Sequence, residues 1–369
     1  MRVNGAPYRS IWLNDDCWSV DIIDQTYLPH DFVIRTLKST EDAAEAISTM
    51  RVRGAPLIGA TAAYGVALAM RKRADDDSLA AACVQLLETR PTAVNLRWAL
   101  DRLQAALEPL PVEERCSVAY LMARDICNED VEINHRMGEL GLRLIRGLWE
   151  QRRHDRDTLH ILTHCNAGWL ATVDWGTALA PIYKAHDVGI PVHVWVDETR
   201  PRNQGAALTA WELQAHGVPH DVIVDNAGGH LMQHGLVDLC LTGTDRTARN
   251  GDVCNKIGTY LKALAAHDNN VPFYVCLPSP SIDWDMSDGV AGIPIEERDA
   301  EEVTQVSGRT TTGAMGTVQI TPDGVKARNF AFDVTPARLV TGLITERGIC
   351  PASEAGLESL FPEHKAGAA

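Results

Sequence analysis

TLHILT (158–163) is the first of five short apolar runs that decide the fold of this chain, and it is followed by PVHVWV (191–196), DVIV (221–224), VDLCLTG (237–243) and PFYVCL (272–277). Segments of helical length separate the runs. Strands that alternate with helices form a parallel sheet that helices cover on both faces. The pattern therefore predicts an α/β fold with a doubly wound parallel sheet in the second part of the chain.

The first part of the chain has a different pattern. Residues 8–37 mix β-branched and aromatic side chains with turn-like pairs, which predicts a few short antiparallel strands. Residues 40–147 are rich in Ala and Leu and are interrupted at Pro91 and at 109–111, which predicts several helices, with a buried one at 57–70. The N-terminal part is therefore predicted to be mainly helical with a small antiparallel sheet.

These two patterns divide the chain into two predicted domains. We place the helical domain at residues 1–150 and the α/β domain at residues 151–369, with a linker near 147–157, where the sequence is charged and aperiodic. The last residues, HKAGAA (364–369), are expected to fray. A chain of 369 residues buries enough surface to fold without disulfides or metals.

The net charge of the chain restricts its partners. There are 34 Lys and Arg residues against 49 Asp and Glu residues, which gives a formal net charge of −15. Such a charge repels nucleic-acid phosphates and anionic membranes, so we expect no nucleic-acid partner and no membrane. An anionic small molecule would have to bind where Arg, Lys and backbone N–H groups are locally concentrated.

Cysteine usage and apolar patterning indicate the compartment. The nine cysteines are odd in number and never spaced as CxxC, which is typical of a reduced protein without a zinc ribbon. The first ten residues lack the apolar stretch of a secretion signal, and the apolar run at 57–70 is shorter than the roughly 20 residues of a membrane span. We therefore expect a cytoplasmic protein.

Polar residues follow four consecutive predicted strands, where a structural turn would need only Gly, Pro or Ser. In open α/β sheets, ligands bind outside the carboxyl ends of the strands, at the point where the strand order reverses. The convergence of these segments predicts a site at that edge. They are His164–Asn166, Asp197–Arg202, Asp225–Asn226 and Gly243–Arg246.

Cys165 and Asp245 are the candidates for chemistry, and each has a structural alternative. Cys165 precedes a predicted helix start, where a helix N-terminus would lower the pKa of the thiol, but a free cysteine is also a common packing residue. Asp245 follows a strand and either caps a helix or, in a partly desolvated cleft, acts as a proton donor with a raised pKa. Position alone leaves both alternatives open.

Two basic clusters are candidates for binding an anion. RVRGAPLIGA places Arg53 and Gly54 ahead of the predicted helix, where a guanidinium and free backbone N–H groups can form an anion site, although an ordinary helix start explains the same pattern. Asn255 and Lys256 lie close to the strand end that carries Asp245, and a lone lysine is commonly just a solvated charge. His230 and His234 have i,i+4 spacing, but we interpret them as surface histidines and expect no metal site.

Several long motifs, in order, resemble those of the S-methyl-5-thioribose-1-phosphate isomerase family. The likeness extends from RSIWL (9–13) to NFAFDVTPARLVTGLITERGI (329–349), and its sharpest points are RVRGAPLIG (51–59), RPTAVNL (90–96), ILTHCNAG (161–168), ETRPRNQGAALTAWEL (198–213), GTDRTARNGDVCNKIGTY (243–260) and IPIEERDAEEV (293–303). The resemblance implies an aldose–ketose isomerase with a helical N-terminal domain, a Rossmann-like catalytic domain, a homodimeric assembly and no cofactor.

The resemblance also implies roles for individual residues. The family's catalytic Cys and Asp match Cys165 and Asp245. We expect a protonated Asp245 to give its proton to the ring oxygen of a sugar phosphate and Cys165 to assist hydrogen movement, by a phosphoenolate or a hydride shift. The substrate contacts match Arg53, Gly54, Ala55, Arg90, Gln204, Asn255 and Lys256, of which the three cationic side chains are expected to hold the phosphate and Gln204 a sugar hydroxyl.

Three positions depart from the family pattern. Ala167 replaces Thr and Trp169 replaces Ala in the usual THCNTGALAT, and Cys254 replaces Ala in the usual NGDVANK. A Trp so close to Cys165 is expected to reshape the pocket and favour an apolar 5-substituent.

Two alternatives to this function stay open. One is an isomerase of the same superfamily that acts on 5-deoxyribose 1-phosphate or ribose 1,5-bisphosphate. The other is a non-catalytic regulatory subunit, like the relatives that regulate translation initiation. Retention of both Cys165 and Asp245 argues against a regulatory subunit, because a scaffold has no need for a thiol and an acid at neighbouring strand ends.

Overall fold

The structure is a computed structural model that describes residues 1–365. Residues 366–369, which include most of the segment expected to fray, lie outside the described residues. The chain begins with five short strands, and β3, β4 and β5 form an antiparallel sheet as predicted. Their bounds are β1 (Arg2–Val3), β2 (Ala6–Pro7), β3 (Ile11–Leu13), β4 (Val20–Ile23) and β5 (Ile34–Leu37).

Five helices follow, with α2 at their centre. Its residues are buried on nearly all sides, as predicted for 57–70, because the other four helices pack around it. Helix breaks fall where the prolines predict them, between α3 and α4 and between α4 and α5. The bounds are α1 (Thr40–Ser48), α2 (Ala55–Lys72), α3 (Asp76–Thr89), α4 (Val94–Leu107) and α5 (Val112–Arg152).

Helix α5 joins the two halves of the fold. Ala119 and Ile126, in its first half, pack into the core of the N-terminal helices, whereas Met137 and Ile145 pack into the core under the main sheet. The helix continues to Arg152, through the first half of the predicted linker, because a charged segment such as EQRR also favours helix. The predicted boundary at residue 150 thus falls in its last turn.

The second half alternates strands and helices as the apolar runs predict. The strands are β6 (Leu159–Thr163), β7 (Val192–Asp197), β8 (His220–Ile223), β9 (Leu239–Thr242), β10 (Arg246–Ala248), β11 (Val253–Lys256), β12 (Phe273–Cys276), β13 (Ile282–Asp283), β14 (Gln305–Arg309), β15 (Met315–Gln319), β16 (Phe332–Thr335), β17 (Gly342–Ile344) and β18 (Ile349–Cys350). The helices are α6 (Leu179–Asp187), α7 (Ala210–His216), α8 (Ala227–Gln233), α9 (Thr259–Asp268), α10 (Gly289–Gly292), α11 (Glu301–Thr304) and α12 (Glu354–Leu360).

The main sheet has seven strands in the order β18-β17-β12-β9-β6-β7-β8, all parallel except the edge strand β18. Counted along the chain, the parallel strands lie in the order 3-2-1-4-5-6, which is that of the Rossmann fold. One apolar layer, with α6 and the second half of α5, covers one face, and a second layer with α9 covers the other. The predicted fold class is confirmed.

The strand order reverses between β6 and β9, which are direct neighbours. A crevice opens at such a point because the chain leaves the two strands toward opposite sides. A four-stranded sheet, β13-β10-β11-β16, and the hairpin β14–β15 lie in the segments that follow β9 and β12. Within residues 1–365, no helix combines the length and the apolar character that crossing a membrane requires.

Candidate active site

Cys165 and Asp245 both lie at the reversal point of the sheet. Cys165 comes two residues after the end of β6, and Asp245 comes three residues after the end of β9. Both side chains line one cavity that encloses about 710 Å³ of empty space, including its open mouth. We call it the central cavity; its lining is Met50, Arg53, Gly54, Ala55, Ile58, Arg90, Thr92, Ala93, Cys165, Gln204, Asp245, Arg246, Cys254, Lys256, Ile293, Pro294 and Phe332.

The central cavity contains eight of the nine residues singled out by the sequence, and Asn255 is the exception. Asn255 lies in β11 between Cys254 and Lys256, which both line the cavity. Successive side chains of a strand point to opposite faces, so Asn255 points away. Its amide nitrogen donates to Thr259 Oγ1 at 3.0 Å instead. The alternation of side chains between the two faces of a strand was the sequence feature that could have shown that Asn255 and Lys256 point in opposite directions.

The environment of Cys165 corrects one expectation. The α-helix expected just after Cys165 does not form, because a short 3-10 helix, Trp169–Ala171, follows instead and the next α-helix begins at Leu179. Burial raises the pKa of Cys165, and the nearby charges of Arg53 and Lys256 oppose that effect only in part. The thiol is therefore a weaker acid than an ordinary cysteine, and its neutral form is favoured.

Asp245 does not cap a helix, because the residues after it form strand β10. Its backbone N–H donates to the Cys254 carbonyl at 3.0 Å, and its carboxyl group makes no hydrogen bond or ion pair within residues 1–365. Burial raises the pKa of Asp245, and the charges of Lys256 and Arg53 oppose this only in part. Of the two alternatives, the structure fits the proton donor.

Two cations in the central cavity have no carboxylate partner among the described residues. Arg53 donates to Asn166, to the side-chain Oδ1 at 2.5 Å and to the backbone oxygen at 2.8 Å, and both acceptors are neutral. The Lys256 ammonium lies 5.4 Å from the centre of the Phe332 ring, and burial lowers its pKa. An anion that enters the cavity could therefore pair with both cations without displacing a carboxylate.

The other two cations of the cavity are already paired. Arg90 donates to Glu296 Oε2 at 2.9 Å, and Arg246 donates to Asp283 Oδ2 at 3.2 Å. Arg90 therefore lies where the sequence predicts a phosphate contact, but Glu296 largely neutralises its charge. Sequence reasoning missed Glu296, although it lies in the motif IPIEERDAEEV.

The start of α2 adds backbone donors to the cavity. Gly54 occupies the N-cap position with φ of 90°, no side chain caps the helix, and a proline lies in its first turn. The first N–H groups of a helix have no partner within the helix and attract anions. Of the two alternatives for this segment, the absence of a capping side chain fits an anion site.

We expect Gly54→Ala to be strongly destabilising. The substitution places a Cβ in the left-handed region and in contact with the backbone of Ala171, so unfolding free energy should fall by about 2–5 kcal/mol. Gly189→Ala is the matched control, because Gly189 has φ of 80° with open space around it, and should cost only about 1–2 kcal/mol. Chemical denaturation measures both values, and equal losses would show that the contact with Ala171 is unimportant.

The remaining wall of the central cavity is apolar, but Trp169 does not contribute to it. Trp169 is only 1% exposed, packs in the core under the sheet and is absent from the lining. The expectation that it reshapes the pocket is wrong, because its indole turns inward toward Trp211. Cys254 does line the cavity. The apolar wall consists of Met50, Ile58, Ala93, Ile293, Pro294 and Phe332.

Gln204 offers a free acceptor. Its side-chain Oε1 is buried and makes no hydrogen bond among the described residues. Such an atom is costly to leave unpaired unless a ligand or water satisfies it. Gln204 precedes a π-helical turn, Gly205–Thr209, and irregular turns of this kind are common at functional sites.

One group of potential metal ligands lies behind the central cavity. Ligand atoms of His164, Asp197 and Asp225 come within 4.8 Å of one another. However, the Lys262 ammonium lies 3.1 Å from Asp197 Oδ2 and donates to the Asp225 carbonyl, so a cation is already supplied by the chain. His230, in α8, and His234, the C-cap residue that follows this helix, are both exposed, as predicted.

The chain belongs to the Initiation factor 2 subunit family, whose model matches residues 51–352. Its relatives include proteins named methylthioribose-1-phosphate isomerase. That of Paramagnetospirillum magneticum is 66% identical over 98% of this chain and 99% of the relative, and that of Rhodospirillum rubrum is 62% identical over 98% and 94%.

Solved structures agree with this assignment. The 5-methylthioribose 1-phosphate isomerase of Pyrococcus horikoshii is 40% identical, with a TM-score of 0.81 over 96% of each chain. A structure titled translation initiation factor eIF-2B, subunit delta, from A. fulgidus is also 40% identical, with a TM-score of 0.78 over 96% of this chain and all of the other. The family resemblance found in the sequence motifs is confirmed.

Proposed function

We propose that this chain is an aldose–ketose isomerase that converts S-methyl-5-thio-α-D-ribose 1-phosphate to S-methyl-5-thio-D-ribulose 1-phosphate in methionine salvage. The observation that carries the proposal is the pairing of a thiol and a carboxyl group, Cys165 and Asp245, whose pKa values burial raises, in one cavity with two cations that lack a carboxylate partner among the described residues. Relatives named methylthioribose-1-phosphate isomerase, which are 62–66% identical over nearly the whole chain, support the proposal.

The chemistry begins with ring opening, because a phosphate on C1 locks the sugar in its cyclic form. Asp245 gives its proton to the ring oxygen as the bond from that oxygen to C1 breaks. The hydrogen on C2 then moves to C1, and the 2-hydroxyl loses its proton to become the ketone carbonyl. That proton returns to Asp245, and Cys165 assists the hydrogen movement from the end of the neighbouring strand β6. Burial in the cavity favours the neutral form of both groups.

The cavity provides complementary groups for the rest of this substrate. Arg53, Lys256 and the N–H groups at the start of α2 bind the phosphate dianion, with two positive charges for two negative ones. Gln204 accepts a hydrogen bond from a sugar hydroxyl. The apolar wall around Phe332 covers the methylthio group.

The alternative functions fit the same cavity less well. Ribose 1,5-bisphosphate needs a second anion site, but the two further cations, Arg90 and Arg246, are already paired with Glu296 and Asp283. A 5-deoxy sugar would bind but leave part of the apolar wall uncovered. A purely regulatory subunit does not account for a buried acid and a thiol that share a cavity, since burying a polar group without a partner is costly.

The proposal is tested by turnover of three sugars. The purified chain is incubated separately with methylthioribose 1-phosphate, 5-deoxyribose 1-phosphate and ribose 1,5-bisphosphate, and ketose formation is followed. We expect the highest kcat/KM for the methylthio sugar and the lowest for the bisphosphate. Preference for the bisphosphate would contradict the assignment of the apolar wall, and no turnover of any sugar would contradict the proposed function.

Assembly, compartment and domain division are proposed on the family resemblance and the sequence patterns. We propose a cytoplasmic homodimer whose two domains divide near residue 150. One chain has a mass of 40.3 kDa, and sedimentation equilibrium should give about twice that mass. A monomer at micromolar concentration would contradict the dimer.

A further inference from the structure

Cys165 is held by side chains rather than by secondary structure. Its φ of 67° lies in the left-handed region, which a non-glycine residue rarely adopts. Thr199 Oγ1 accepts a hydrogen bond from the Cys165 N–H at 2.9 Å, and Thr209 Oγ1 donates one to the Cys165 carbonyl at 2.8 Å. Both backbone groups of this residue therefore depend on buried threonine hydroxyls.

The first of these threonines is itself fixed on several sides. Thr199 is fully buried and donates its hydroxyl hydrogen to the Asp197 carbonyl at 3.0 Å. Its own N–H donates to Asp225 Oδ1 at 2.7 Å, and its φ of 66° is unusual for a β-branched residue. Such a conformation persists only where the surroundings impose it, and it is most frequent at functional sites.

The second threonine links the backbone of Cys165 to Arg53 through Asn166. Thr209 lies in the π-helical turn after Gln204 and accepts a hydrogen bond from Asn166 Nδ2 at 3.1 Å. Asn166 in turn accepts from Arg53 and also donates to the buried Glu212 at 2.8 Å. The bonds that orient Cys165 thus continue to Arg53.

We propose that Thr199 and Thr209 are positioning residues that together hold Cys165 in its left-handed conformation and aim its thiol into the central cavity. Neither threonine lines the cavity, so neither touches the substrate. This inference rests on the proposed isomerase function for its kinetic consequence. The orientation of the thiol itself is independent of that function.

The decisive variant is Thr199→Val, which keeps the β-branched shape and removes only the hydroxyl. We expect kcat for methylthioribose 1-phosphate to fall about 10- to 100-fold, because small displacements of a reacting group have effects of that size, with KM changed less than about threefold. Thr199→Ser, which restores the hydroxyl, should recover most of kcat. Unchanged kcat in Thr199→Val, or no recovery in Thr199→Ser, would overturn the proposal.

Thr345→Val is the matched control. Thr345 is also fully buried. Like that of Thr199, its hydroxyl accepts a hydrogen bond from a backbone N–H, that of Arg347, and donates one to a backbone carbonyl, that of Gly348. It lies between β17 and β18, outside the central cavity. It should leave kcat unchanged. An equal loss in this control would show that the effect of Thr199→Val is general destabilisation and would overturn the positioning role.

A measurement without substrate separates this proposal from the proposed function. The rate of iodoacetamide alkylation at Cys165 is determined by peptide mass spectrometry relative to that at the exposed Cys17 of the same molecule. We expect Thr199→Val to change this ratio by about threefold or more, and Thr199→Ser to restore it. An unchanged ratio overturns the proposal even if the chain proves to be an isomerase. If Thr199→Val does not fold, Thr209→Val replaces it under the same expectations.

Discussion

Asp245→Asn and Cys165→Ser should each lower kcat for the methylthio sugar by at least about 1,000-fold while substrate still binds. The amide cannot give up a proton to the ring oxygen, and the hydroxyl of serine is a far weaker acid than a thiol. Neither change removes Arg53 or Lys256, so the phosphate retains its partners. Single-turnover kinetics and equilibrium dialysis with the substrate measure the two effects separately.

The control for the thiol is Cys83→Ser. Cys83 is also buried, but it lies in α3 outside the central cavity. The kcat of Cys83→Ser should stay within about threefold of the kcat of the unmodified chain. Turnover within tenfold of normal in either Asp245→Asn or Cys165→Ser would contradict the roles proposed for them.

Lys256→Met should weaken substrate binding about 100-fold, the second-largest effect that we expect. Methionine preserves the buried length of the side chain but removes one of the two unpaired charges that face the phosphate. A charge-assisted hydrogen bond contributes about 1.5–3 kcal/mol, and the loss of a buried ion-pair partner adds to this. Isothermal titration calorimetry with the substrate, or with the ketose product, measures the change.

Lys184→Met is the matched control for this loss of charge. Lys184 is also buried, but it is paired with Glu139 at 2.6 Å on α5 and does not line the central cavity. Its removal should leave the affinity for substrate within about twofold. Comparable affinity in Lys256→Met and the unmodified chain would exclude Lys256 as a phosphate ligand.

The sheet and its functional edge were predictable because their determinants are local. Each apolar run, such as 158–163, has the length and composition of a buried strand, and parallel strands bring their following residues to one edge. Cys165 and Asp245 could therefore be placed together from a sequence separation of 80 residues. The helix breaks at Pro91 and at 109–111 were equally local, since proline cannot continue a helix.

Features that depend on distant partners could not be predicted. The pairing of Arg90 with Glu296 joins residues 206 positions apart, and nothing around either of them indicates the other. The raised pKa of the Cys165 thiol follows from burial, which neighbouring residues in sequence do not reveal. Trp169 turns into the core although it lies only four residues from Cys165, because a large apolar side chain is more stable there.

The pH dependence of kcat at saturating substrate tests the central claim most directly, namely that the reaction needs a protonated Asp245 and no preformed thiolate. Burial raises the pKa of Asp245. Its carboxyl group can donate a proton below that pKa and is ionised above it. The pKa of Cys165 is also raised, so its thiolate would appear only at higher pH. We predict that kcat falls as pH rises through the raised pKa of Asp245. A kcat that instead rises with pH toward the pKa of Cys165 would contradict the account and show that the thiolate is the active form.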